Sequence, residues 1–148
     1  MELSKHFTLA EFTASSVAAR YGIDNMPGAQ AIENLKRLAA VMEDVRGILG
    51  KPIIITSGYR CSRLNKLVGG RPNSKHVDGL ACDFICPPWS IPEIIAAMQN
   101  SAIPFDQCIM EFYNPATGDG WAHVGLGANP RRQILTVNRM GTFAGIQI

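Results

Sequence analysis

The stretch Asn73-Ser74-Lys75-His76-Val77-Asp78-Gly79-Leu80-Ala81-Cys82-Asp83-Phe84 constrains this chain more than any other. It holds a histidine and an aspartate seven residues apart, a glycine between them, and an apolar alternation through its second half. Successive side chains of a strand point to opposite faces, so Leu80, Cys82 and Phe84 share one face and Ala81, Asp83 and Ile85 the other. Asp83 is then a carboxylate with apolar neighbours on its own face. A buried lone charge is expensive, so it needs a partner, and a cation is the obvious one. His76 lies just before the strand on a loop able to fold back over its edge. A third ligand has to come from elsewhere, and the candidate is His123 in Trp121-Ala122-His123-Val124-Gly125. Two histidines and one carboxylate suit zinc, with a fourth position left open for water. The iron facial triad is a poorer match, because it sets its first histidine and its carboxylate much closer together in sequence.

A chain of 148 residues is expected to form one domain with a sizeable core. Its 47% hydrophobic and 18% charged residues are ordinary for a soluble globular protein. A net charge of +2 with no long Lys/Arg run argues against nucleic acid as a partner, and is compatible with an anionic surface such as a cell wall. No run is long enough to cross a membrane, and the polar opening Met1 to His6 does not read as a signal peptide. The protein is therefore expected to be made in the cytoplasm, to act without a membrane partner, and to be a monomer. Cys61, Cys82, Cys86 and Cys108 are read as reduced and mostly buried, since Cys82 and Cys86 are too extended on one strand to bridge and no C-x-x-C occurs.

Along the chain, residues 7–22 read as a helical lead-in. Thr8 and Glu11 fit a capping box there, with Phe7 and Phe12 placed to staple the first turn. His6 is expected to be solvated. Ile32, Leu35, Leu38, Ala39, Met42, Val45, Ile48 and Leu49 form one apolar stripe, predicting a helix over about residues 29–49 that Gly50 and Pro52 stop. Pro52 to Thr56 reads as a buried strand delivering Ser57-Gly58-Tyr59-Arg60, and Leu64, Leu67 and Val68 suggest a brief helix. Ser90-Ile91-Pro92-Glu93 is a second capping box, opening a helix to about Asn100. From Gln107 to Phe112 the chain alternates, with Cys108, Met110 and Phe112 on one face and Gln107, Ile109 and Glu111 on the other. A loop with Pro115, Gly118 and Gly120 returns it as a strand over Trp121 to Leu126. Gln133 to Val137 reads as one more strand, Arg131 and Arg132 as solvated, and the tail beyond Asn138 as featureless. These elements predict an α+β domain: an antiparallel sheet with helices against one face.

Ser74-x-His76-x-x-Gly79-x-Ala81-x-Asp83, followed by Trp121-x-His123, resembles the zinc D-alanyl-D-alanine carboxypeptidase family, which also contains phage endolysins that cut L-alanyl-D-glutamate bonds. Ser57-Gly58-Tyr59-Arg60, Leu64-Asn65, Val68-Gly69-Gly70 and Phe105-Asp106-Gln107 extend the similarity to its short phage and bacterial branch, over roughly residues 7–137. The resemblance implies a fold shared with the hedgehog signalling domain. It also implies a zinc peptidase acting on the stem peptides of peptidoglycan, with Zn2+ held by His76, Asp83 and His123. Such a protein, released by another factor, would be a phage or prophage lysin reaching the wall from the cytoplasm.

Hydrolysis also needs a carboxylate to move protons. Glu111 is the candidate, because pairing across the 113–120 loop brings it beside His123. Many enzymes of the resembling family place an acid three positions before the last histidine, but that position is Gly120 here, which leaves Asp119 as the second candidate. Arg60 suits the substrate carboxylate, its planar fork giving two parallel hydrogen bonds. Ser74 and Trp121 are candidates for substrate contacts. The rival class is a non-catalytic binding module, or a phage structural protein, that keeps the fold and its zinc.

Overall fold

A computed structural model describes residues 1–148. The elements are α1 (Leu9–Thr13), α2 (Ser16–Arg20), α3 (Ala29–Leu49), β1 (Ile54–Ser57), α4 (Ser62–Leu67), β2 (Ala81–Ile85), α5 (Ile91–Gln99), β3 (Gln107–Glu111), β4 (Trp121–Gly125), β5 (Gln133–Asn138) and β6 (Gly141–Ala144). The fold is α+β, built on one six-stranded sheet ordered β1-β2-β4-β3-β5-β6.

All neighbouring strands are antiparallel except β3 and β5, which run parallel. The cause is a short connection. β4 ends beside the start of β3, and residues 126–132 wrap round that start, where Arg132 and Gln133 N–H groups donate to the Phe105 and Asp106 carbonyls. β5 is thereby launched in the same direction as β3. The tail beyond it is not featureless: β6 folds back on β5 with Asn138 opposite Gly141.

One sheet face is apolar, and α3 and α5 cover it. Cys82, Phe84, Cys108, Met110, Ala122 and Val124 project into a core completed by Leu35, Leu38, Met42, Val45, Ile94, Ile95 and Met98, with Phe7 and Phe12 at one side. The stripe on α3 packs as its spacing requires, although Ile48 at its margin remains exposed, and Gly50 closes the helix in the left-handed region at φ 66°. Both capping boxes form, at Thr8 with Glu11 and at Ser90 with Glu93. The Phe7 and Phe12 rings lie 5.9 Å apart. The lead-in is two helices rather than one, because the Ser15 hydroxyl accepts from the Ala18 N–H and starts α2 afresh. All four cysteines are free; Cys82, Cys86 and Cys108 are buried, and burial pushes the Cys108 thiol up to about 12.

Several side chains depart from expectation. β1 is the sheet edge, not a buried strand, and leaves Ile54 51% exposed. Phe112 does not continue the core face of β3. The strand ends at Glu111, and Phe112 turns to φ 52° with its N–H donating to the Val137 carbonyl. A left-handed conformation costs a residue with a Cβ about 1–2 kcal/mol. Gly120 crosses directly beneath at φ 123°, where a Cβ would come within 2.7 Å of the Tyr113 Cα and 2.9 Å of the Glu111 carbonyl oxygen.

Of the three polar residues expected in solvent, His6 and Arg131 are exposed yet each holds a carboxylate, and Arg132 is half-buried. Arg131 holds Asp106 through two hydrogen bonds of 2.6 and 3.0 Å. Arg132 donates to the carbonyls of Met98, Ser101 and Ile103 and covers the Phe105 ring, tying down the end of α5. His6 meets Glu43 at 2.7 Å, where the Ser4 hydroxyl and the His6 N–H also donate to the carboxylate.

Two predictions follow from this packing. Gly79 (φ 74°) and Gly118 (φ 80°) have similar backbones, but a Cβ at Gly79 would sit 2.7 Å from the Ala31 carbonyl oxygen while one at Gly118 meets nothing within 4 Å. In denaturant titrations Gly79→Ala should lose about 1–3 kcal/mol more than Gly118→Ala, the scale of overpacking. Equal losses would mean that the loop floats free of α3. At Glu43, burial raises the pKa, but the Ser4 and His6 hydrogen bonds and the His6 charge outweigh it and bring the group from 4.5 to about 2. A depressed carboxylate stabilises the fold above its unfolded pKa and loses that contribution as pH falls through its folded one. The stability gap between wild type and Glu43→Gln should thus be constant above about pH 5 and shrink towards pH 2. A gap independent of pH would remove this contact from the stability of the N-terminus.

Candidate metal centre

The uncovered sheet face carries the polar residues. β2 and β4 pair with Asp83 opposite His123, and β4 and β3 pair with Trp121 opposite Glu111. Side-chain alternation therefore puts Asp83, His123, Trp121 and Glu111 on the side away from the core. His76 joins them from the loop before β2, whose path is set by Gly79 lying against α3.

His76, Asp83 and His123 each offer a ligand atom, all within 4.8 Å of one another. Asp83 Oδ1 lies 2.9 Å from His123 Nδ1 and 3.4 Å from His76 Nε2. Ligands of a tetrahedral zinc, each about 2.0–2.2 Å from the metal, are separated by about 3.3–3.6 Å, so this donor set fits the ion with small adjustment. The ring of His76 is oriented as well. Its Nδ1 donates to the Gly58 carbonyl oxygen at 2.7 Å, which turns Nε2 towards Asp83. The Ser74 hydroxyl accepts from the His76 backbone N–H at 3.2 Å and steadies the loop.

Glu111 is the next neighbour. Its Oε1 lies 3.5 Å from His123 Nδ1 and accepts a hydrogen bond of 3.1 Å from the Trp121 indole N–H. Burial, helped by the Asp83 charge, raises the Glu111 carboxyl above its ordinary value against the pull of His123 and Trp121. Asp83 goes the other way: burial would raise it, but hydrogen bonds and charges from His123 and His76 hold it well below the usual carboxylate range. Burial tends to lower His123, and the Asp83 hydrogen bond together with the Asp83 and Glu111 charges brings it above normal.

Arg60 faces the same space. Burial lowers its pKa while the Asp83 and Glu111 charges act to keep it protonated, and its buried Nε has no hydrogen-bond partner. A buried guanidinium N–H without a partner is uncommon in a folded chain. Together with Ser74, Glu111, Trp121 and the three candidate ligands, Arg60 lines a cleft of about 440 Å³. A separate concavity of about 400 Å³, between α3 and the 126–130 loop, shares none of these residues.

Asp119 stands apart from that cleft. It lies in the exposed 113–120 loop, where its carboxylate accepts from the Thr117 hydroxyl. Gly120 cannot host an acid either, because a side chain there would strike the backbone of residues 111–113. Two contributors escaped sequence reading. The Gly58 carbonyl orients His76 through a backbone atom that no motif advertises, although Gly58 stands in the Ser57-to-Arg60 phrase. Phe112 reaches the cleft rim only through its positive φ, which alternation cannot foresee.

A family model described as Peptidase M15 matches residues 5–117. That span contains Arg60, Ser74, His76, Asp83 and Glu111 and stops before Trp121 and His123. No curated protein matches the chain.

Purified protein should carry one zinc per chain, and His76→Ala and His123→Ala should each lose most of it in elemental analysis. Full occupancy in both variants would show that the metal, if bound, sits elsewhere.

Proposed function

The chain belongs to the peptidase M15 family, and on that premise we propose that it is a zinc peptidase that hydrolyses the stem peptides of peptidoglycan. The observation that carries this reading is the convergence of His76, Asp83 and His123 with a proton-transfer carboxylate, Glu111, 3.5 Å from His123. His76 Nε2, the Asp83 carboxylate and His123 Nδ1 would hold the ion. Zinc at such a site supplies a Lewis acid for the scissile carbonyl and brings the pKa of water towards ~7.

Glu111 serves as general base and then general acid. It takes a proton from the attacking water as the water oxygen bonds to the carbonyl carbon, and passes that proton to the amine nitrogen as the C–N bond breaks. The Trp121 N–H holds the carboxylate in one orientation while leaving its other oxygen available. Arg60, which lines the cleft, receives a substrate carboxylate on its guanidinium fork. Ser74 uses its oxygen lone pair on the His76 backbone, and its hydroxyl hydrogen remains to be donated to substrate.

A zinc-holding module without activity is the second reading, favoured by Gly120 standing where many resembling enzymes have an acid. The two separate in a zymogram against purified cell walls, with and without chelator. Clearing that chelation abolishes supports the peptidase, whereas zinc-replete protein that clears nothing supports the module. Within the peptidase reading, Glu111→Gln should keep zinc and fold but lose hydrolysis by roughly a hundredfold or more, the usual size of general acid–base effects. Asp119→Asn should lose far less. The opposite ranking at equal zinc content would hand the proton-transfer role to Asp119.

A further inference from the structure

Charge is unevenly shared along the chain. Residues 60–74 hold Arg60, Arg63, Lys66 and Arg71 out of 14 cations and none of the 12 carboxylates, so the rest of the molecule is net negative. Elsewhere Lys36 meets Glu33 and Arg131 meets Asp106. Arg63, Lys66 and Arg71 are exposed, and their side chains make no ion pair. Nothing local favours the grouping. Arg63 lies in the first turn of α4, at the positive end of the helix dipole, and like charges three residues apart repel, which sets it against Lys66. Surfaces ordinarily intersperse the two signs, so a single-sign stretch with no local benefit points to an anionic partner.

The fold holds these cations rigidly beside the cleft. α4 buries Leu64 and Asn65 and leaves Arg63, Lys66 and Leu67 exposed. The Asn65 Nδ2 donates to the Arg71 carbonyl at 2.8 Å, and the Gly70 N–H donates to the Asn65 backbone carbonyl, also at 2.8 Å. Gly70 lies so close against the Asn65 amide that no Cβ fits there. The segment 68–71 is thereby fastened to the helix, and it forms one rim of the cleft that contains His76, Asp83 and His123. Arg63, Lys66 and Leu67 in turn border a hollow of about 430 Å³ with Tyr21 and Ile23, and no carboxylate lines it. The Arg20 guanidinium lies over the Tyr21 ring, 5.9 Å from its centroid, and adds a further positive charge.

Resting on the peptidase reading for its occupant, we propose that α4 and the segment 68–71 form a docking surface for the carboxylates of stem peptides neighbouring the one that is cut. The wall polymer repeats carboxylate-bearing peptides along its glycan, so a surface with cations and no acid complements it in sign. Arg63 and Lys66 hold the polymer, and Arg71 carries the positive field to the mouth of the cleft. Engagement at this surface raises the effective concentration of scissile bonds at the candidate metal centre. No proton or bond is handled by these residues.

Sedimentation with purified peptidoglycan, freed of phosphodiester polymers, tests this; zinc-loaded Glu111→Gln protein keeps the walls intact during the measurement. Its Kd should rise steeply with salt, as expected for exposed charges. Adding Arg63→Gln and Lys66→Gln together should weaken binding about tenfold at low ionic strength, the lower end of what focused surface charge contributes. Adding Lys5→Gln and Lys51→Gln instead removes the same charge from exposed positions elsewhere and should leave binding nearly unchanged. Both sets should keep their melting midpoint, because none of the four side chains is in an ion pair. Amidating the carboxylates of the peptidoglycan should erase the difference between the two sets. Equal losses in both, no loss with Arg63→Gln and Lys66→Gln, a difference that survives amidation, or one that appears only on walls retaining phosphodiester polymers would overturn the docking surface. Failure of the wild-type protein to clear walls would instead overturn the peptidase reading, since sedimentation requires no cleavage.

Discussion

A carboxylate buried on a sheet face requires positive charge around it, and much of this molecule is arranged to satisfy Asp83. The core on the opposite face fixes β2 rigidly, so Asp83 cannot turn to solvent. Two imidazoles and one guanidinium converge on it from three separate pieces of chain: the loop before β2, the neighbouring strand β4, and the segment after β1. Each piece is positioned by a local device. Gly79 seats the first against α3, strand register sets the second, and the Arg60 N–H donating to the His76 carbonyl ties the third to the first.

The same economy governs Glu111, the carboxylate proposed to transfer protons. Strand pairing places Glu111 diagonal to His123, and the neighbouring indole restricts its rotation. At Gly120 the crossing chain leaves no space for a side chain, and the next carboxylate, Asp119, is committed to its own turn. An acid at position 120 and the tight path of residues 111–113 exclude each other, so the carboxylate at the end of β3 and the glycine at 120 form one structural solution.

The fold was legible wherever the pattern was strong and local. The α3 stripe, the two capping boxes and the alternation in β2, β3 and β4 correspond to elements with the expected faces. What alternation could not supply was position within the sheet. Nothing in Ile53-Ile54-Ile55 distinguishes an edge strand from a central one, since β-branched residues suit both. The parallel arrival of β5 depends on how a short loop wraps another strand, and the β5–β6 turn, with Met140 exposed, lacks an apolar alternation to announce it. The clustering of His76, Asp83 and His123 was readable because a charge among apolar residues is an anomaly demanding a partner. The role of the Gly58 carbonyl was not, because backbone atoms are the same in every sequence.

The thiols carry a consequence of their own. Cys82 and Cys108 both register with Val124, one on either side of β4. Two strand spacings separate them by about 9–10 Å, too far for a disulfide. Both are fully buried, and burial suppresses the thiolate that oxidants attack. These two thiols are therefore indifferent to the redox potential of their surroundings: a reducing and an oxidising medium would leave them the same in the sheet that carries the candidate metal ligands.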